Sequence, residues 1–76
     1  SDFDIKLMEF EMFCKVRDWR MWRFDINRKN KSQYIGYAAT ETGDEEIFLI
    51  SEKGNYYRYV KSRVWEPYEY VLNKGE

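Results

Sequence analysis

The side chains that most often perform chemistry are scarce in this sequence. It contains no histidine, which removes the commonest general base and the commonest metal ligand. Cys14 is the only cysteine, so no internal disulfide can form and no cysteine–histidine pair can activate the thiol. We interpret Cys14 as a small, buried apolar residue. A single cysteine is typical of a reducing compartment, so we expect a cytoplasmic protein.

The acidic residues do not form the pattern of a catalytic or metal-binding site. The densest cluster is Asp44-Glu45-Glu46, but a calcium or magnesium ion needs several oxygen ligands arranged round one point. Glu9 and Glu11 have the spacing of a carboxylate pair on one strand face, where exposed carboxylates are common. The four glycines are scattered and form no phosphate-binding loop. We therefore predict that the protein is not an enzyme and uses neither a metal nor a cofactor.

Charge is unevenly distributed along the chain, although the formal net charge is only −1. Residues 15–31 contain seven basic and two acidic residues, interleaved with Trp19 and Trp22. Small barrels bind single-stranded nucleic acid in cationic grooves with aromatic stacking platforms. The cations of such a groove would be Arg17, Arg20, Arg23, Arg28, Lys29 and Lys31. The low net charge and the acidic residues 41–52 argue against it, so nucleic-acid binding is the alternative prediction.

The beginning of the chain has two competing interpretations. Apolar and polar residues alternate from residue 8 to residue 17, which is typical of a strand. The alternative is an N-terminal helix that begins at Ser1 and Asp2. The buried stripe of that helix would be Phe3, Leu7, Phe10 and Cys14. The alternation favours the strand.

The middle of the chain has the pattern of two further strands. In the first, residues 22–26, alternation places Trp22 inward together with Phe24 and Ile26. The second covers residues 34–40, where the small residues Gly36, Ala38 and Ala39 indicate a bend or a close backbone approach.

The end of the chain has the pattern of a hairpin followed by an edge strand. Residues 46–51 (EIFLIS) are apolar on both faces, which is typical of a central strand, and a turn at Gly54 pairs them with residues 55–60 (NYYRYV). Residues 61–63 break the alternation and predict a short turn. Pro67 cannot donate a backbone hydrogen bond, so a last strand at residues 68–72 is expected at an edge.

These elements predict an all-β fold: a single domain over residues 1–76 that forms a small antiparallel meander or barrel of five to six strands. The order of strand, turn, strand, the short break VKSRVW and a last strand resembles the end of an SH3-like or Tudor-like barrel. That resemblance covers about the last thirty residues and implies only the fold. The alternative is an α+β fold with an N-terminal helix on a four- to five-stranded sheet.

The aromatic content predicts a surface that binds another protein. Aromatic residues make up 20% of the chain, more than one small core needs. In NYYRYV, alternation puts Tyr57 and Tyr59 on one face, which we assign outward; a one-residue register change would reverse the assignment. Surface aromatics beside arginines are typical of interface hot spots. The predicted partner-binding residues are Trp19, Arg20, Tyr57, Arg58 and Tyr59.

We therefore predict a non-catalytic protein-binding module, suited to a small regulator or inhibitor. A homodimer through the aromatic face is a third alternative. Phages encode many small proteins of this kind, so a phage protein is one expectation, although no residue carries it. No apolar run approaches the roughly 20 residues of a membrane-spanning helix, so no membrane partner is expected.

Overall fold

The computed structural model describes residues 1–60 and 65–68, which form one helix and five strands. The elements in chain order are α1 (Asp2–Lys15), β1 (Arg20–Ile26), β2 (Tyr34–Ala39), β3 (Glu45–Ile50), β4 (Tyr56–Tyr59) and β5 (Trp65–Tyr68). Successive strands pair antiparallel in the order β1-β2-β3-β4-β5, which makes one open meander. Helix α1 packs on one face of this sheet.

The antiparallel meander is confirmed, but the barrel and the N-terminal strand are wrong. The sheet stays open and does not close into the barrel that the SH3-like or Tudor-like layout implied. Residues 2–15 are helical, so the alternative of an N-terminal helix on a five-stranded sheet matches the structure. The physical reason is that α1 supplies the second layer for the core, which a barrel would have obtained by closing the sheet on itself.

Capping and charge favour a helix at the start of the chain. Ser1 is the N-cap, and its Oγ accepts a hydrogen bond from the Asp4 N–H at 3.3 Å. Acidic residues in the first turn and Lys15 in the last turn complement the helix dipole. After the helix, Asp18 has a φ of 61°, and the Trp19 N–H donates to the Cys14 carbonyl at 2.9 Å. These contacts turn the chain from α1 into β1.

The misleading alternation arises because α1 is apolar on two sides. Phe10 and Cys14 are buried beneath the helix, whereas Met8 and Met12 are exposed on the other side. Successive residues of a helix are about 100° apart, so every second residue moves about 200° round its axis. Residues 8 and 12 therefore lie on one side of the helix, and residues 10 and 14 lie on the opposite side. Because both sides are apolar, every second residue of this helix is apolar, as it would be in a strand.

The core is a cluster of aromatic rings between α1 and the sheet. Phe13 lies with its ring centroid 5.1 Å from that of Phe48 in β3 and 4.6 Å from that of Tyr56 in β4. Phe10 lies beside the same rings, at 6.2 and 6.3 Å. Helix and sheet are therefore joined chiefly by aromatic contacts.

A β-bulge moves Trp22 out of the core position that alternation predicted. The register of β1 against β2 shifts between Met21 and Arg23, so one extra residue enters β1. Trp22 is consequently 50% exposed, and its ring centroid lies 5.2 Å from that of Tyr37, on the face opposite Phe24.

Two further expectations concern the end of the chain. The last strand, β5, lies at Trp65–Tyr68 and so begins three residues before the predicted residues 68–72, with Pro67 inside it. It is the last strand in the order of the described sheet, as the missing N–H of Pro67 predicted. The turn predicted at residues 61–63 and residues 69–72 of the predicted last strand lie outside the described residues.

Candidate functional site

The sheet has a second face, opposite α1, which we call the open face. Directly opposed residues of antiparallel strands lie on the same face, so the pairing register shows which residues belong to it. Tyr37 opposes Ile47, Ile35 opposes Leu49, and Leu49 opposes Tyr57. Tyr59 continues the same row along β4. The centre of the open face is therefore aliphatic and aromatic, and its side chains are half-buried by one another.

Aromatic pairs lie at both margins of the open face. On the β1 side, Trp22 contacts Tyr37, and the guanidinium carbon of Arg23 lies 5.7 Å from the Tyr37 ring centroid. On the β5 side, the rings of Tyr59 and Trp65 meet edge to face with centroids 5.3 Å apart. Large rings thus flank an aliphatic centre, which is the composition of a surface that another molecule could cover.

The five predicted partner-binding residues do not all lie on this face. Tyr57 and Tyr59 do, in agreement with their outward assignment, while Tyr56 is buried on the helix side. Trp19 packs on the core, with its ring centroid 6.0 Å from that of Phe13.

The two arginines of the predicted set also lie apart. Arg58 opposes Phe48, so it lies on the helix side of β4, where its Nε donates to the Glu46 Oε1 at 2.9 Å. Its Nη2 donates to the Glu46 Oε2 at 3.1 Å. Arg20 is exposed at the start of β1. The structure thus separates Trp19 and Arg58 from the two tyrosines.

The six cations of the alternative nucleic-acid site are also dispersed. Arg17 is part-buried: its Nη1 donates to the Phe13 carbonyl at 3.0 Å, and Arg23 forms an ion pair with Asp25. The exposed cations of the β1–β2 loop lie beyond the far end of β1 from Arg20, a strand of seven residues or roughly 20 Å. Those loop cations are Arg28, Lys29 and Lys31.

Cys14 lies in the core, as its residue type predicted, although on a helix. Its side chain is 1% exposed, and this burial raises the pKa of its thiol to about 12. Arg17 lowers the pKa and Glu11 raises it, but both effects are smaller than desolvation. Because the reactive form of cysteine is the thiolate, the site is unsuited to nucleophilic chemistry.

Two further features, a metal-binding cluster and a membrane-spanning helix, concern the described part of the chain. Residues 1–60 and 65–68 contain no group of three or more His, Cys, Asp or Glu side chains placed to hold a metal ion. Over the same ranges, no helix combines the length and apolar character needed to cross a membrane.

Sequence reasoning missed several residues of the open face. Trp22 was assigned to the core, because a bulge cannot be seen in a simple alternation. Ile47 and Leu49 carried a visible signal, since EIFLIS is apolar on both faces. That pattern predicts a central strand, which β3 is. It also indicated that the second side of the sheet has an apolar centre.

A groove of about 520 Å³ separates α1 from the beginning of β1. Its apolar walls come from Met8 and Met12 of the helix and from Trp19 and Met21. Its charged residues are Glu11, Lys15 and Arg20. This methionine groove is the second surface, after the open face, that another molecule could cover.

Comparison with known proteins returned no family model, no curated protein and no solved structure that matches this chain. The features of the chain that bear on function are therefore the two surfaces that its described residues leave uncovered, the open face and the methionine groove.

Proposed function

We propose that this chain is a non-catalytic protein-binding module that docks on another protein through the open face. The supporting observation is the asymmetry of the sheet. One face lies under α1, and the described residues place no helix over the other. That other face is aliphatic at its centre and carries Trp22 and Trp65 in ring pairs at its margins.

Tyr57 and Tyr59 are the proposed anchors. A tyrosine offers a large amphipathic contact area while losing only two side-chain torsions on binding, which keeps the entropic cost low. Both rings lie on strand β4, whose backbone is held by β3 and β5, so they are arranged before a partner arrives. A few preorganised aromatic groups commonly contribute most of the binding free energy of an interface. Such a surface suits a small regulator or inhibitor.

Single-stranded nucleic-acid binding is the alternative function. It is supported by Arg28, Lys29 and Lys31, which are exposed together in the β1–β2 loop. Against it, two other arginines of the predicted site make contacts within the chain. Arg17 donates a hydrogen bond to the Phe13 carbonyl, and Arg23 forms an ion pair with Asp25. The two functions place the contact residues on different parts of the molecule, so variants distinguish them.

The test compares Tyr57→Ala and Tyr59→Ala with Arg28→Ala, a loop control that leaves the open face intact. A partner captured from the source cells is purified, and its affinity for each variant is measured by calorimetry. We expect each tyrosine variant to bind about 30-fold more weakly, since a hot spot contributes about 2 kcal/mol, and the control to bind as the wild type does. Melting temperatures show whether each variant remains folded.

Two results would contradict the proposal. One is unchanged affinity in both tyrosine variants. The other is binding of a 30-nucleotide oligo-dT that collapses between about 50 and 200 mM salt and is weakened by Arg28→Ala, because this is the signature of phosphate contacts.

A further inference from the structure

Helix α1 carries a second apolar stripe on the side away from the sheet. We call it the outer stripe; its members are Ile5, Met8, Met12 and the C-cap residue Val16. These side chains are 55%, 63%, 60% and 70% exposed. Their spacings of three, four and four residues place them along one side of a helix. A helix that buries one apolar side and exposes another has a second surface available for packing.

Charges along the outer stripe favour one particular occupant. Asp4 lies near the N-terminal end of α1 and Lys15 near the C-terminal end. Eleven residues correspond to about three turns plus 20°, so the two charges lie on the same side of the stripe. An antiparallel second helix with the same sequence would place its Lys15 beside Asp4 and its Asp4 beside Lys15. The surface is therefore complementary to itself, as a two-fold symmetric interface requires.

The methionine groove lies on the side of the outer stripe that carries Asp4 and Lys15. Lys15 and Arg20 are among its lining residues, at the C-terminal end of the helix. In an antiparallel pair, that end meets Asp4 in the first turn of the second copy. The apolar Ile5 of the second copy follows directly, and with Asp4 opposite Lys15 it lies beside Met12 at this end of the groove.

We propose that a second copy of this chain docks antiparallel along the outer stripe, with Asp4 of each copy beside Lys15 of the other and Ile5 of each copy at the methionine groove of the other. A helix of 14 residues is about 21 Å long, so the pair buries less than the roughly 1,200 Å² typical of stable complexes. The dimer is therefore weak and reversible. Both open faces remain free on its outer sides, so the dimer presents two copies of the proposed binding surface.

The first experiment measures sedimentation equilibrium of the chain from 10 μM to 1 mM. We expect the average mass to rise from that of a monomer toward that of a dimer. Met12→Glu places a charge in the stripe and should keep the chain monomeric throughout, with an unchanged melting temperature because Met12 is 60% exposed. The matched control, Trp22→Glu, introduces the same charge on the open face and should dimerise like the wild type.

The second experiment exchanges the charges. Asp4→Lys alone and Lys15→Asp alone each bring like charges together at two symmetric positions, and each should weaken the dimer about tenfold. An equimolar mixture should recover wild-type affinity, since every contact in the mixed dimer again joins opposite charges. Asp2→Lys, which changes the same first turn on the other side of the stripe, is the control and should dimerise nearly normally.

Three results would overturn the proposal. A monomer at every concentration shows that the stripe does not join two copies. A dimer that survives Met12→Glu but is lost in Trp22→Glu places the interface on the open face. Failure of the mixed charge variants to recover affinity shows that Asp4 and Lys15 do not meet. Each of these results is obtained without the binding partner, so it leaves the proposed function of the open face separately testable.

Discussion

At Gly36, the lack of a Cβ atom allows the helix to pack closely on the sheet. A Cβ atom built at this position would lie 2.6 Å from Cε2 and Cζ of the Phe10 ring. Glycine therefore lets the end of the Phe10 ring approach the β2 backbone closely, at one of the small residues that predicted a close approach. The burial of Phe10 in α1 therefore depends on the lack of a side chain at Gly36 in β2.

At this position we expect Gly36→Ala to lower the free energy of unfolding by about 1–3 kcal/mol, the usual cost of overpacking a core. Denaturant unfolding measures the change. Phe10→Leu removes the ring atoms that would clash with the new Cβ. Gly36→Ala should therefore cost less stability in a chain that already carries Phe10→Leu than in the wild type. Equal losses in both backgrounds would show that the Phe10 ring does not cause the strain.

Cys14 predicts a pH dependence of stability. Burial raises its folded-state pKa to about 12, whereas the thiol of an unfolded chain ionises near pH 9. Its contribution to stability is therefore fully present below pH 9 and is lost as the pH rises toward 12. We expect the free energy of unfolding to fall by about 1–2 kcal/mol between pH 7 and pH 10 from this group.

The control for that measurement is Cys14→Ala, which keeps every tyrosine and lysine but lacks the thiol. Chemical denaturation of both chains across this pH range isolates the effect as the difference between their slopes. Parallel curves would mean that the Cys14 thiol is accessible to water in the folded state.

At the scale of elements, the β3–β4 hairpin separates neighbouring tyrosines onto different faces. Tyr56 is 4% exposed and packs against Phe13, whereas Tyr57 opposes Leu49 on the open face. We expect Tyr56→Ala to cost about 3–5 kcal/mol of stability, because it leaves a cavity in the core. Tyr57→Ala should cost less than about 1 kcal/mol. Thermal unfolding compares the two, and similar large losses would show that the open face is covered.

Helix α1 shows how one element can serve two surfaces. Its phenylalanines join the core, and its methionines and isoleucine form the outer stripe. Methionine suits such a surface because its flexible side chain adapts to the shape of a partner. The two apolar sides give the helix little amphipathic contrast in sequence, which is why its period resembled that of a strand.

At the scale of the whole molecule, the fold has two layers with an apolar surface outside each. The outer stripe lies on the helix layer, and the open face lies on the sheet layer. The two proposed contacts therefore lie on opposite sides of the molecule and do not compete for space. A small domain with two such surfaces can bring two copies of itself to one partner, or two partners together.

The sequence pattern did not decide which face of the β3–β4 hairpin is buried, and it put the last strand at residues 68–72 instead of Trp65–Tyr68. It did predict β1 to β4, the antiparallel meander, the burial of Cys14 and a shared face for Tyr57 and Tyr59. These features depend on local alternation and turns, which a period of two residues reports directly. That residues 2–15 are a helix follows from packing against the sheet, since a helix apolar on two sides and an alternating strand have the same pattern. The tertiary structure also decided that Trp22 faces outward and that Trp19 and Arg58 lie away from Tyr57. A bulge and the position of a covering layer arise from contacts between distant segments, and no local period records them.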